Sequence, residues 1–287
     1  MKLTKVLLVF ALLFGLSVFP ITTELRGGPG VNLVENRNPS LKPTVQFSME
    51  ETSSSSQKKI AVLVGINDYQ GEQNDLRYCV NDVLDMKKAL VQKYGFSEGD
   101  IQTLTDGNAT YANVTSSLDW LKKESAGDSI VVFYFSGHGS RSSSDRDGDG
   151  EKIDECIVTS DLGFLWDGVL ASKFKEIEAS QIWLGFDSCY SGGMVDADQD
   201  LGLKGNGKLN TMACKANQLS GESSSVENGF FTYLLVDQGI LSGKGDADND
   251  GSVSIEEAFN YAQANIKRYT RPQTPVISDG ILGDFIP

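Results

Sequence analysis

From residue 59 onward, short apolar runs alternate with amphipathic stretches, and this alternation limits the fold more than any other feature of the chain. Apolar runs of strand length lie at 60–66, 101–104, 130–135 and 182–186. Helical spacing of apolar residues is found at 80–94, 111–123, 169–177, 230–241 and 255–269. Strands that are apolar on both faces and separated by helices predict an α/β fold with a mostly parallel central sheet flanked by helices. In such sheets the chemistry takes place at the carboxyl ends of the strands.

The first 58 residues lack this pattern. Lys2 and Lys5 precede a largely apolar run at 6–19, which is the layout of a secretory signal peptide and too short to span a bilayer comfortably. We predict a signal peptide over 1–23 and a secreted or cell-envelope protein, without stable membrane association unless this segment is retained as an anchor. Residues 24–58 are rich in Gly, Pro, Asn and Ser, which predicts a linker or pro-segment before a domain at 59–287.

The charge balance limits the partners. The chain has 25 Lys and Arg against 39 Asp and Glu, a net charge of −14, which argues against nucleic acid because such binding needs basic patches. A basic substrate or a divalent cation suits this chain better. The 4 cysteines are too few for a disulfide scaffold and form no CxxC pair. Cys156 and Cys214 have apolar neighbours and are interpreted as packed thiols.

Two of the predicted strands run directly into reactive side chains. His138, the only histidine, follows the run 130–135 between two glycines, and Cys189 follows the run 182–186 in a loop of small residues. A cysteine attacks as the thiolate, and a neighbouring imidazolium lowers the pKa of the thiol and later donates a proton to the leaving group. The pair therefore indicates a Cys/His dyad. The alternative is a turn histidine and a small packing cysteine, which is the better interpretation of either residue alone.

The segments around these residues resemble caspase-like cysteine peptidases, and among them metacaspases. They are Tyr-Phe-Ser-Gly-His-Gly at 134–139, Ile-Asp-Glu-Cys-Ile at 153–157 and Asp-Ser-Cys-Tyr-Ser-Gly-Gly at 187–193. The resemblance covers the chain from about residue 60 and implies a caspase-like fold and peptide-bond hydrolysis. It implies that Cys189 attacks the scissile carbonyl, that the N–H groups of Cys189 and Gly139 hold the oxyanion, and that His138 protonates the leaving amine.

Asp187 indicates which peptide bond is cut. It lies two residues before Cys189, so its side chain points to the same side of the strand, and an acidic pocket selects a cationic side chain. The resemblance adds Cys79, Ser136 and Asp82 as pocket positions. Two carboxylates can hold one guanidinium, which favours Arg, with Lys next. The alternatives are that Asp187 caps a loop and that Asp82 caps the helix in which it lies.

The segment 246–257 matches a twelve-residue EF-hand calcium loop. Its candidate ligands are Asp246, Asp248, Asp250, Ser252 and Glu257. The alternative is an acidic turn in which Ser254 and Glu257 form a capping box for the last helix. The acidic run 145–150 begins in the same way, but Lys152 and Cys156 occupy the loop positions that should be aliphatic and Glu, so the run is interpreted as a solvated loop.

The metacaspase resemblance implies a separate calcium site near the active centre, formed by Asp154, Asp167 and Asp196. Trp166 stands where the family usually offers another aspartate, which weakens the match. Ca²⁺ is the cofactor that we predict, with activation by the ion after export, because calcium is scarce in cytosol and plentiful outside.

The stretch 196–208 is rich in Gly and Asp, which predicts an exposed loop in which Lys204 or Lys208 is an autoprocessing site. We predict a secreted, monomeric cysteine endopeptidase that cleaves protein or peptide substrates after Arg or Lys. Two alternatives stay open. One is the same fold and dyad with another specificity, as in legumain or clostripain relatives, and the other is a non-catalytic, exported calcium-binding module.

Overall fold

A computed structural model describes residues 57–148, 150, 152–195, 201 and 207–287. The predicted signal peptide at 1–23, nearly all of the predicted linker, and the residues Asp196 and Lys204 lie outside the described residues. Within the described ranges, no helix is both long and apolar enough to cross a bilayer.

Eleven strands are found in the described part of the chain. They are β1 Lys59–Gly65, β2 Ile101–Thr105, β3 Ile130–Ser136, β4 Gly139–Ser142, β5 Asp154–Val158, β6 Phe164–Trp166, β7 Gln181–Asp187, β8 Lys208–Met212, β9 Glu222–Ser223, β10 Asn228–Gly229 and β11 Val276–Asp279. Six of them form the central sheet in the order β11-β8-β7-β3-β1-β2. All neighbours in this sheet are parallel except β11, which is antiparallel to β8. This arrangement confirms the predicted α/β class with a mostly parallel sheet.

Helices cover both faces of the sheet. The α-helices are α1 Cys79–Tyr94, α2 Tyr111–Glu124, α3 Asp167–Lys175, α4 Phe230–Thr232 and α5 Ile255–Asn265. The predicted helix at 230–241 starts as the single turn α4 and continues as a π-helix over Tyr233–Leu241. The predicted last helix ends earlier than expected, because α5 stops at Asn265 and a 3₁₀ turn follows over Ile266–Arg268.

The two faces of the sheet belong to two separate layers of the core. Ala61 and Leu63 of β1 pack in one layer, whereas Ile60, Val62 and Val64 pack in the other. The first layer contains residues of α1 and α5, and the second contains residues of α2 and α3. Every residue of β3 is buried, which explains why this strand has no polar alternation in the sequence.

Strands β3 and β7 end side by side, and this places the site. They pair in parallel with Ser136 opposite Asp187, the last residue of each strand. Beyond these ends, β4 begins the small antiparallel sheet β4-β5-β6, and β9 and β10 form a short hairpin. The chain segments that follow β3 and β7 therefore leave the sheet next to each other.

Candidate active site

The carboxyl ends of β3 and β7 open into a cavity of about 120 Å³. Its lining includes six of the residues that were predicted from the sequence, namely Cys79, Asp82, Ser136, His138, Asp187 and Cys189. The structure therefore brings together side chains that are separated by more than a hundred positions in the sequence. The Gly137 N–H donates to the Asp187 carbonyl oxygen at 3.2 Å, which joins the two strand ends directly.

Cys189 lies on a sharp turn at the end of β7. The next residue, Tyr190, has a φ of 62°, a conformation that is uncommon for residues other than glycine, and its N–H donates to the Gln218 carbonyl at 2.8 Å. The Cys189 Sγ lies 3.8 Å from the Ser220 carbonyl oxygen. Burial raises the pKa of the Cys189 thiol, so ionisation at neutral pH requires a nearby cation.

His138 is held on three sides. Its backbone N–H donates to the Tyr69 hydroxyl at 2.7 Å, and the Tyr69 ring lies 4.6 Å from the imidazole between centroids. The His138 Nε2 is 2.7 Å from the Asn74 carbonyl oxygen. Because a carbonyl oxygen only accepts, this contact assigns the proton to Nε2 and leaves Nδ1 to exchange a proton with a reacting group.

Gly139 packs against the backbone of Cys189. A Cβ at this position would lie 3.1 Å from the Ser188 Cβ and closer still to the Cys189 carbonyl oxygen, so no larger residue fits without a shift. Gly139 is also the first residue of β4, which pairs with β5 at Ile157. The predicted oxyanion donor therefore lies directly beside Cys189.

Asp82 points into the cavity from α1. It is 1% exposed, its Oδ2 accepts from the Ser136 hydroxyl at 2.6 Å, and its Oδ1 accepts from the Gly229 N–H at 2.9 Å. The alternative that Asp82 caps its own helix is wrong, because the N-terminal cap of α1 is Tyr78 and has no side-chain cap bond. Burial, together with the nearby Asp187, raises the pKa of Asp82 well above its usual value.

Asp187 is the second buried carboxylate of the cavity, and 5% of it is exposed. Its Oδ1 accepts from the Ser220 hydroxyl at 2.6 Å, and its Oδ2 accepts from the N–H and the hydroxyl of Thr232 at 3.0 and 2.7 Å. Burial raises the pKa of Asp187 as well, although these hydrogen bonds oppose the shift. Two buried acids at one place form a site that favours a cation.

The family model of the caspase domain, peptidase family C14, matches residues 58–286. The chain belongs to the caspase-domain family. This family consists of cysteine-type peptidases, and the match identifies the described fold as a caspase domain.

The curated relatives that the chain matches include metacaspases of plants and yeasts. Metacaspase-7 of Arabidopsis thaliana is 35% identical over 192 residues, which is 64% of this chain and 47% of that protein. Metacaspase-4 of the same plant is 34% identical over 214 residues, which is 69% of this chain and 49% of that protein. Metacaspase-1 of Yarrowia lipolytica is 36% identical over 190 residues, 62% of this chain and 41% of that protein. The chain thus spans about half the length of these relatives or less.

A solved structure shares the fold. The crystal structure of a protein from Geobacter sulfurreducens has a TM-score of 0.57 and 22% sequence identity, and the match covers 77% of this chain and 92% of that chain. At this identity the likeness concerns the fold alone.

Several residues of the caspase-domain site were not predicted from the sequence. They are Tyr69, Asn74, Ser220, Glu222 and Gly229. Only the proximity of Gly229 to a helix start could have indicated one of them. By contrast, Cys156 and Cys214 are 2% and 0% exposed, and burial raises the pKa of their thiols to about 12 and about 11, as expected for packed cysteines.

The predicted EF-hand-like loop brings part of its ligand set together. Carboxylate oxygens of Asp246, Asp248 and Asp250 lie within 4.8 Å of one another. Glu257 instead accepts from Ser254 in a capping box and from the Ala247 N–H at 2.9 Å, and the Ser252 N–H donates to Asp250 Oδ1 at 2.7 Å. The capping alternative is therefore present in the structure alongside the acidic cluster.

A second acidic cluster differs from the sequence-based interpretation. Asp145 and Asp147, interpreted as part of a solvated loop, have carboxylate oxygens within 4.8 Å of one another and of Asp154. Asp154 is fully buried, and its Oδ1 has no hydrogen-bond partner among the described residues. Asp147 accepts from the Gly168 N–H at 2.9 Å, and Asp167 accepts from the Glu155 N–H at 3.2 Å, so α3 begins against this cluster.

Lys208 does not belong to an exposed loop, and its assignment as a cleavage site is wrong for the folded protein. It is the first residue of β8, is 6% exposed, and donates its ammonium to the Phe174 carbonyl at 3.3 Å. Burial lowers the pKa of Lys208 to about 8. A protease cannot reach this peptide bond while β8 is paired with β7.

Proposed function

We propose that the protein is a cysteine endopeptidase that cleaves peptide bonds after Arg or Lys. The observation that carries this proposal is the pair of buried carboxylates, Asp82 and Asp187, in the cavity that also contains Cys189. Neither acid forms an ion pair with another of the described residues, and an arginine side chain that enters this cavity supplies a countercharge to both. The planar guanidinium can donate to both carboxylates at once, whereas an ammonium acts as a point charge, so we rank Arg before Lys.

The remaining groups suit hydrolysis by a Cys189–His138 dyad. With the P1 side chain bound, the scissile carbonyl lies at the Cys189 thiol. His138 Nδ1 takes the thiol proton, and the imidazolium stabilises the thiolate that attacks the carbonyl carbon. The N–H groups of Gly139 and Cys189 donate to the oxyanion. His138 then protonates the leaving amine, and water hydrolyses the acyl-enzyme.

The test compares matched fluorogenic peptides that end in Arg, Lys, Asp or Asn, with wild type, Cys189→Ala and Asp187→Asn. Cleavage after Arg and Lys that is lost in Cys189→Ala supports the proposal, and its loss in Asp187→Asn assigns the selectivity to the pocket. Cleavage after Asn or Asp alone would favour the alternative of another specificity on the same fold. No cleavage of any peptide, with calcium present, would favour the non-catalytic calcium-binding module.

We further infer that Ca²⁺ regulates the activity. The buried, unpartnered Oδ1 of Asp154, beside Asp145 and Asp147, suits a hard cation, because an anionic oxygen shielded from water is costly without a ligand. The loop 246–257 is the other candidate, since it presents three aspartates at the first, third and fifth loop positions. Asp196 belongs to the predicted set but lies outside the described residues.

Calcium titrations of peptidase activity and of binding, measured by calorimetry, separate the two candidates. Asp154→Asn removes a ligand of the first cluster and Asp246→Asn a ligand of the second, so each variant is the matched control of the other. If only Asp154→Asn raises the calcium concentration needed for activity, the first cluster is the regulatory site. Wild-type activity that is equal in calcium and in EDTA would contradict calcium regulation altogether.

We also propose that the protein is exported and that it processes itself at Lys204. The support is the signal-peptide-like composition of 1–23 and the basic residue in the stretch between β7 and β8. N-terminal sequencing of the protein from culture medium and from cells tests export. Self-cleavage at Lys204 is wrong if Cys189→Ala is cut there as readily as wild type when each is purified alone.

A further inference from the structure

Glu222 lines the cavity but contacts a different part of the site from the paired aspartates. It lies in β9, two residues after Ser220. Side chains two positions apart on an extended chain point to the same side. The Ser220 hydroxyl donates a hydrogen bond to Asp187. The half-buried Glu222 carboxylate instead contacts the segment 74–78, which leads from the 3₁₀ turn at Glu72–Asn74 into α1.

The Glu222 carboxylate binds two successive backbone N–H groups of this segment. Its Oε1 accepts from the Arg77 N–H at 3.1 Å, and its Oε2 accepts from the Tyr78 N–H at 3.0 Å and lies 3.3 Å from the Arg77 nitrogen. Hydrogen bonds to an ionised acceptor are stronger than those between neutral groups. The segment is therefore attached to a hairpin that is about 145 positions later in the chain.

The same segment presents the Asn74 carbonyl to His138 Nε2 at 2.7 Å. Within the segment, Leu76 packs against the core layer that contains α2 and α3, whereas Asp75 and Arg77 are exposed. The segment's other hydrogen bonds are all to residues nearby in the sequence. The Asn74 N–H donates to the Gly71 carbonyl and its side-chain amide to the Gln70 carbonyl, both at 2.9 Å, the Leu76 N–H donates to the Asn67 carbonyl at 2.8 Å, and Asp75 Oδ1 accepts from the Tyr69 N–H at 3.1 Å. Among these contacts, the Glu222 carboxylate is the one that joins the segment to the distant hairpin, and it does so as a charged acceptor for two N–H groups.

We propose that Glu222 is a positioning residue for His138, acting through the segment 74–78. When the carboxylate is absent, the two N–H groups lose their acceptor, the segment moves, and Asn74 no longer holds the Nε2 proton. The imidazole then samples other orientations and tautomers, so that less of Cys189 is present as the thiolate. The inference rests on the proposed dyad but not on the specificity for Arg or Lys.

Alkylation of Cys189 by iodoacetamide tests this role without using the pocket that selects the substrate. In this reaction the thiolate sulfur forms a bond to the methylene carbon and iodide leaves, and the reagent is small and neutral. Mass spectrometry of the Cys189 peptide separates it from the three buried cysteines. The rate is measured against pH on the full chain for wild type, Glu222→Ala and Glu222→Gln. Glu227→Gln is the control, because it removes the same charge from an exposed position of the same hairpin.

We expect the alkylation rate of Cys189 at neutral pH to fall about tenfold in Glu222→Ala, since small displacements of a catalytic group have effects of this size or larger. The rate profile should also shift to higher pH. Glu222→Gln keeps one acceptor oxygen, so its alkylation rate should lie between the rates of Glu222→Ala and wild type. The alkylation rate of Glu227→Gln should equal that of wild type. Thermal melting of each variant identifies loss of folding, and if Glu222→Ala unfolds, Glu222→Gln decides the question.

The outcomes also separate this inference from the proposed function. If both Glu222 variants are alkylated like wild type but cleave Arg peptides poorly, Glu222 acts on the substrate alone and the inference is wrong. If the alkylation profile depends on Glu222 but no variant cleaves after Arg or Lys, the positioning role stands and the proposed specificity fails.

Discussion

Replacing Gly229 by alanine should impair cleavage after Arg more than cleavage after Lys. Gly229 has a φ of −60° and a ψ of 140°, which alanine adopts without strain, so the effect is purely one of space. The added Cβ would lie 3.0 Å from Asp82 Oδ2, 3.1 Å from the Asp187 Cγ, and closer still to Asp187 Oδ2. It would therefore occupy the space in which a guanidinium meets both acids.

The size of the effect follows from the contacts that are lost. In the alanine variant, either one carboxylate rotates away or the guanidinium contacts only one of the two acids. In both cases a hydrogen bond to a charged group is lost, and such a bond contributes about 1.5–3 kcal/mol. That energy corresponds to a decrease of about 10- to 150-fold in kcat/KM for an Arg peptide. A Lys peptide should lose less, because its ammonium does not require both carboxylates in one plane.

The assay is kcat/KM for matched Arg and Lys peptides, with Gly221→Ala as the control. Gly221 lines the same cavity, but its added Cβ would lie 3.4 Å from the Phe230 ring, an ordinary contact distance. Gly221→Ala should therefore stay within about threefold of wild type. If Gly229→Ala, folded and alkylated normally at Cys189, cleaves the Arg peptide as well as wild type does, the guanidinium does not bind between the two acids.

Three further outcomes follow from the hydrogen bonds and pKa directions. Because burial raises the pKa of both Asp82 and Asp187, KM for an Arg peptide should fall as pH rises and the acids ionise, and Asp82→Asn should weaken this trend in steady-state kinetics. Tyr69→Phe removes the acceptor of the His138 N–H and should lower kcat about tenfold with little change in KM. Lys208→Met should raise the free energy of unfolding at pH 7 by about 1–2 kcal/mol in denaturant titrations, because the folded state disfavours the ammonium. That advantage should shrink as pH rises from about 8 towards 10.5, where the wild-type lysine is neutral in the folded state.

The strands β1, β2, β3 and β7 were predicted almost to the residue, whereas β8 and β11 on the other side of the sheet were missed. Strands β3 and β7 are buried on both faces, so their apolar runs are uninterrupted. Strand β8 is just as buried, but it contains Lys208 and Asn210, whose side-chain N–H groups find acceptors only in the folded protein. A buried strand that relies on such partners has no apolar pattern from which it could be predicted.

The sequence placed His138 and Cys189 near one another because each lies two residues beyond the end of a strand, whereas the residues that contact this site from distant segments were missed. Gly229 contacts Asp82 from 147 positions away, and Glu222 contacts Arg77 from 145 positions away. Likewise, Asp145 and Asp147 resemble a solvated run until β5 brings Asp154 to them. Their roles depend on tertiary contacts, which local composition does not encode.

The paired carboxylates of the cavity also affect the thermal stability of the protein. Two buried acids destabilise the folded state, and apolar residues of similar volume are often more stable in such places. A chain selected for stability alone would not keep Asp82 and Asp187. The two carboxylates that favour binding of a cationic substrate therefore also lower the free energy of unfolding. Any small amidine or guanidine that enters it supplies the missing positive charge. Such compounds should raise the melting temperature, and a thermal-shift screen could therefore identify inhibitors before a substrate is known.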